Sequence, residues 1–227
     1  MTGGSHEFDF WWRMGLLTVA PLYRLLCRLR FDGLDRIPQS GAAILAPNHV
    51  SVLDPIAVAL ATSARGRSVR FLAAAEFFAH PLWGWGLRRT KQIPVRRRTR
   101  DLGALQQLQE VLQRGGLAGI FPEGRVGVGD LPLKGRSGLV RAALAARVPI
   151  LPVGVWGTQA RWPRVGLRFS RPYRVPVAVV IGDAIQVPED ARSPGVLREV
   201  TSEVMKSVEA QVIRARAITG IPRPPGR

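Results

Sequence analysis

Residues 42 to 55 read AAILAPNHVSVLDP. The apolar run Ala42–Ala46 has the length and composition of a buried strand, and it passes through Pro47 and Asn48 straight into His49. Asp54 and Pro55 follow, and Pro55 suits the first turn of a helix, where its missing N–H costs nothing. α/β proteins hold chemistry in such a place, because a loop leaving a strand end is fixed by a rigid scaffold yet open to solvent. Of the three histidines, His6 lies in the N-terminal segment and His80 beside Pro81 in an expected turn, so His49 alone has this setting.

Asp54 has two readings. As a helix N-cap, its carboxylate accepts a backbone N–H. Alternatively the segment His49–Asp54 folds back, and the carboxylate meets one imidazole nitrogen. It then fixes the tautomer and leaves the other nitrogen as a general base. Spacing alone leaves both open.

Outward from this stretch, strand candidates are Val69–Ala73, Gln92–Val95, Leu117–Phe121, Ile150–Val155 and Tyr173–Ile181. Helix candidates are Pro55–Thr62, Pro81–Leu87, Asp101–Arg114, Gly138–Ala146 and Pro194–Ala217. Leu102, Leu105, Leu108, Val111 and Leu112 recur at helical spacing, so that helix lays one face on a sheet. The alternation predicts an α/β fold with a central, largely parallel sheet flanked by helices.

The 227 residues fit one such domain, and 46% hydrophobic content excludes a disordered chain. The formal net charge is +17, and among 33 basic residues only Lys91, Lys134 and Lys206 are lysine. A field of this sign draws phosphates: nucleic acid, anionic lipid and acidic carrier proteins all qualify. Against nucleic acid, the chain has no zinc-ligand pattern and no aromatic-basic RNA-binding motif. The single cysteine, Cys27, precludes an intrachain disulfide and fits a reducing compartment. No cleavable signal peptide is evident.

Phe8 to Leu29 is apolar but interrupted. Its longest uncharged run, Met14 to Tyr23, is well short of the roughly 20 residues needed to span a bilayer. Arg13, Arg24, Arg28 and Arg30 flank or interrupt it, and Phe8, Phe10, Trp11 and Trp12 cluster at its start. This suits a helix, or a pair bent at Pro21, lying in a membrane interface. The plainer reading is a helix packed on its own domain.

Three further stretches carry chemistry. Phe121-Pro122-Glu123-Gly124-Arg125 ends a strand candidate, and a glycine there lets backbone approach an anion. Lys91-Gln92-Ile93-Pro94-Val95-Arg96-Arg97-Arg98 runs a short apolar strand into guanidinium groups that could grip a phosphate, although a solvated basic face explains most of them. Val148-Pro149-Ile150-Leu151-Pro152-Val153 is an apolar strand bracketed by prolines.

In this order, the four stretches resemble the glycerophospholipid acyltransferase family, best known from the 1-acylglycerol-3-phosphate acyltransferases. The resemblance spans roughly residues 30 to 185. It matches Asn48, His49 and Asp54 to an Asn-His-x-x-x-x-Asp motif, Ile93-Pro94 and Arg97 to a strand ending in arginine, and Phe121–Gly124 to Phe-Pro-Glu-Gly. Val148–Val153 matches the proline-rich strand. Departures are Lys91 where glycine is usual, the usual arginine either moved one position earlier to Arg125 or lost, and no lysine near Ala74.

The resemblance implies acyl transfer from a thioester, acyl-CoA or acyl-carrier protein, to the hydroxyl of lysophosphatidate, or of another acceptor given those departures. His49 and Asp54 would be catalytic, with Asn48, Arg97, Glu123, Gly124 and Arg125 binding substrate. No metal or other cofactor is implied. The chain then divides into a membrane-interface helical segment (1–30), an acyltransferase domain (31–219) and a flexible tail (220–227). Its expected place is the cytoplasmic face of the cell membrane, as a peripheral or monotopic protein on an anionic surface.

Overall fold

The structure, a computed structural model, describes residues 10–96, 101–127, 135–163, 166 and 173–222. Seven strands form one sheet: β1 (Cys27–Asp32), β2 (Ala43–Pro47), β3 (Val69–Ala74), β4 (Ile93–Val95), β5 (Leu117–Gly119), β6 (Ile150–Trp156) and β7 (Val175–Ile181). Their order is β1-β7-β6-β2-β5-β3-β4, and every neighbouring pair is parallel except β6 with β7. β2 is the central strand. Its C-terminal end, where His49 lies, therefore has parallel strand ends on both sides.

Helices cover both faces, so the inner strands read as continuous apolar runs without alternation. Ile44 and Ala46 point into one core with Leu108, Leu112, Val140, Val204, Val208 and Val212. These come from α5 (Leu102–Gln113), α6 (Gly138–Ala146) and α8 (Pro194–Thr219). Ala43 and Leu45 point into the opposite core, with Trp12 and Tyr23 of α1 (Phe10–Leu26) and Val58 and Ala61 of α2 (Asp54–Ser63). The described residues also form the α-helices α3 (Ala75–Phe78), α4 (Pro81–Arg89) and α7 (Thr158–Arg161).

The six expected strands and five expected helices are all present, with ends moved by a few residues. β1 is the exception. The expected N-terminal helical segment, drawn to residue 30, ends as a helix at Leu26, and Cys27–Asp32 is an edge strand paired in parallel with Val175–Val180. Burial there alternates: Cys27 is fully buried and Leu29 and Phe31 are partly buried, whereas Arg28 and Arg30 are exposed. Of the four arginines read as interface flanks, Arg28 and Arg30 are the outward row of a strand, and charged side chains on an edge oppose pairing with another sheet. Pro21 lies within α1, which remains one helix.

Gly220, with φ +67°, caps α8; of the expected tail 220–227, residues 223–227 lie outside the described part of the chain.

β6 lies directly against α8. A Cβ placed on Gly154 would run into the backbone of Gln211 and Val212, so only glycine lets this strand and helix approach so closely. Gly154→Ala is expected to destabilise the fold by about 1–3 kcal/mol or more through overpacking, seen as a lower urea midpoint with an unchanged slope.

Candidate active site

The loop between β2 and α2 is built around its polar groups. Asn48 extends the β2–β6 pairing by one step. Its Nδ2 donates to the Val155 carbonyl (3.0 Å), the Val155 N–H donates to its Oδ1 (2.6 Å), and its own N–H donates to the Val153 carbonyl (3.3 Å). The side chain is almost wholly buried. Asn48 was expected to bind substrate, but both ends of its amide are engaged with backbone. It is instead a latch that fixes where the loop leaves the sheet.

Asp54 decides the loop's shape. Leu53 is the cap of α2 and no side chain caps that helix. The carboxylate turns back instead. Oδ2 accepts the N–H groups of Val50 and Ser51, both at 2.7 Å, and lies 3.0 Å from His49 Nδ1. Oδ1 accepts the Thr158 hydroxyl at 2.5 Å. Asp54 has no solvent exposure, and the His49 side chain retains 16%. Of the two readings of Asp54, the geometry is that of the histidine partner. With Nδ1 protonated toward Asp54, Nε2 carries the lone pair.

A second loop closes over the first. The His49 N–H donates to Glu123 Oε1 (2.8 Å), and Gly127 N–H donates to the His49 carbonyl (2.6 Å). The imidazole stacks on Phe121 with ring centroids 4.0 Å apart, and Phe121 stacks on Phe71 of β3. Gly124 has φ +69°, a left-handed conformation that a side chain strains, and Arg136 packs against it. Burial pushes the Glu123 carboxyl up to about 7, against the opposing pull of the His49 N–H, His49 itself and Arg125.

His49, Asp54 and Glu123 are thus brought together, with Gly124 and Arg125 exposed on the covering loop. Arg97 lies outside the described residues. Beside the sequence leading to it, Arg88, Lys91 and Arg96 line a groove of about 770 Å³ with Phe78, Pro94 and Asp101. Lys91 stands at φ +54°, which explains a glycine preference at that position.

Thr158 and Ser51 were missed by the sequence reading. Thr158 follows the buried strand β6, so the rule that selected His49, polar residues just past an apolar strand, also points to it. Ser51 donates to the Trp162 carbonyl (2.5 Å) and accepts the Leu53 N–H (3.0 Å), holding the loop from beneath. Cys27 is fully buried in β1, and burial pushes its thiol up to about 11, which disfavours the thiolate. Among the described residues, no three His, Cys, Asp or Glu side chains cluster as metal ligands.

Comparison with known proteins bears on the family and the fold. Residues 28–156 match the family model described as Acyltransferase. An uncharacterized protein of Mycobacterium tuberculosis is 26% identical over 93% of this chain and 69% of its own length. A 1-acyl-sn-glycerol-3-phosphate acyltransferase of Pseudomonas aeruginosa is 31% identical over 72% of this chain and 62% of its own. The crystal structure of the 1-acyl-sn-glycerophosphate acyltransferase PlsC from Thermotoga maritima superposes with a TM-score of 0.64. It covers 90% of this chain and 80% of that one at 24% identity, a likeness of fold.

Two outcomes follow from the hydrogen bonds. Thr158→Val leaves a buried carboxylate oxygen without its donor and is expected to cost about 1–3 kcal/mol in urea unfolding, with Thr158→Ser recovering most of it. For Glu123, the unfolded carboxyl ionises near 4.5 and the folded one near 7. The folded state therefore keeps a proton that the unfolded chain releases, and stability falls as pH rises through that window, by roughly 3 kcal/mol in all. In Glu123→Gln, unfolding measured at pH 5, 6 and 7 should lose this slope.

Proposed function

The chain belongs to the acyltransferase family, and from that premise we propose that it acylates the free hydroxyl of lysophosphatidate, forming phosphatidate, at a membrane surface. The acyl donor is a thioester of coenzyme A or of a carrier protein. The observation that carries this reading is the 3.0 Å contact between His49 Nδ1 and an Asp54 carboxylate anchored by three other donors.

His49 Nε2 takes the proton of the acceptor hydroxyl as its oxygen attacks the thioester carbonyl. Asp54 holds the ring and stabilises the imidazolium without taking the proton. When the tetrahedral intermediate collapses, the C–S bond breaks and the imidazolium returns its proton to the departing thiolate. The Val50 and Ser51 amides serve Asp54, so the oxyanion is met by other donors. The acceptor phosphate is assigned to Arg97, Arg125 and the Gly124 loop.

Membrane placement is supported by α1. Its inward stripe, Trp12, Ala20 and Tyr23, is buried, yet Phe10, Leu17, Leu22 and Leu25 are 58–70% exposed on the other side. A helix apolar on both sides calls for a second apolar environment. No helix among the described residues is long and apolar enough to cross a membrane, so α1 would lie in the interface, at the cytoplasmic leaflet. Surface arginines add about 1 kcal/mol each on anionic lipid.

A second acceptor, another lyso-lipid or glycerol 3-phosphate, is favoured by Lys91 and Arg125 standing where the family pattern has other residues. Turnover of lysophosphatidate with palmitoyl or oleoyl thioester should fall about 10²–10⁴-fold in His49→Ala with the fold intact. Thioester release with a different lyso-lipid and none with lysophosphatidate would assign the rival acceptor.

A further inference from the structure

The α3–α4 hairpin continues the apolar surface of α1 and stands at the catalytic edge of the sheet. α3 begins at Ala75, immediately after β3 ends at Ala74, and β3 runs parallel to β5 and β5 to β2, whose end carries His49. Phe77, Leu82, Trp83 and Trp85 are 49–69% exposed there. Four large apolar side chains exposed within residues 77–85 are a denser cluster along the chain than single scattered exposures, which need no explanation.

The hairpin is rigid. His80 Nδ1 accepts the Trp83 N–H (3.3 Å), Gly84 N–H donates to the His80 carbonyl (2.7 Å), and Arg88 donates to the Phe78 carbonyl (2.6 Å). A Cβ on Gly84 would strike the Phe78 carbonyl, so the two short helices meet at their closest approach. A clamp ties this unit to α1: Trp11 and Trp85 meet edge to face at 5.3 Å, with the Arg89 guanidinium 4.4 Å from the Trp11 ring centre.

We propose that the α3–α4 hairpin is a second membrane-docking element, which inserts Leu82 and Trp83 into an anionic bilayer beside α1 and so brings the catalytic edge to the lipid. This rests on the membrane placement proposed for α1. Charge and composition select the occupant. Over α1, α3 and α4, four arginines (Arg13, Arg24, Arg88 and Arg89) stand against one acid, Glu76. Tryptophan with arginine is the composition of the bilayer interface, where amphipathic rings sit at the headgroup level. An acidic carrier protein would be met by the arginines alone, without leucine and tryptophan in the open. A second copy of the chain would oppose arginine to arginine.

The test uses the full chain and vesicles of phosphatidylcholine with 30 mol% phosphatidylglycerol, in about 150 mM salt. Leu82→Ser/Trp83→Ser is expected to weaken co-sedimentation at least tenfold while far-UV circular dichroism stays unchanged. In the otherwise wild-type protein, phosphatidylcholine brominated on its acyl chains should quench fluorescence, and Trp83→Phe should lose part of that quenching. This second reading stands even if the double variant misfolds. Equal vesicle binding by a folded double variant, or quenching unaltered in Trp83→Phe, would overturn the proposal. So would a dimer in light scattering that the double variant dissolves. Binding is read without turnover, so failure to acylate lysophosphatidate would count against the assigned reaction and leave this result standing.

Discussion

A carboxylate taken wholly out of water must be compensated group by group, and Asp54 is such a carboxylate. Two backbone amides, one hydroxyl and one imidazole surround it. Each donor places a different element: the amides bend the 49–54 loop, the hydroxyl ties that loop to the end of β6, and the imidazole is turned outward on the remaining contact. Orientation of the histidine is thus a by-product of keeping the acid satisfied. In the proposed reaction, the same buried carboxylate would stabilise an imidazolium formed beside it.

The covering loop repeats the logic in a weaker form. Glu123 is buried enough to be pushed up to about 7, yet it accepts the N–H of His49 and sits near Arg125. The two loops therefore hold each other through one residue, His49, which offers its N–H to Glu123, its carbonyl to Gly127 and its ring to Phe121. The loop is held at both its backbone and its ring, which suits the general base proposed for His49, since such a group acts at hydrogen-bond distance.

Much of the sheet was legible because a strand buried on both faces must be apolar throughout, and Ala43–Pro47 and Ile150–Trp156 are. β1 was not. At the sheet edge only one side of the strand meets the core, so Arg28 and Arg30 are tolerated, and they imitate the flank of an interfacial helix. The same ambiguity affected Asn48, whose polarity suggests a ligand contact until the Val155 backbone is seen opposite it. Polar type in a sequence reports that a partner is needed, without saying whether the partner is substrate or main chain.

Residue order alone determined the layered α/β class, the strand end that bears His49 and the candidates Asp54 and Glu123, because periodicity and breaker residues act over a few positions. Tertiary structure decided that Asp54 faces the imidazole instead of capping α2. It also supplied Thr158, 104 residues away, as the fourth donor. Such pairings depend on β6 lying beside β2, and neighbourhood across a sheet is set by how the whole chain buries its apolar faces, which no local pattern records.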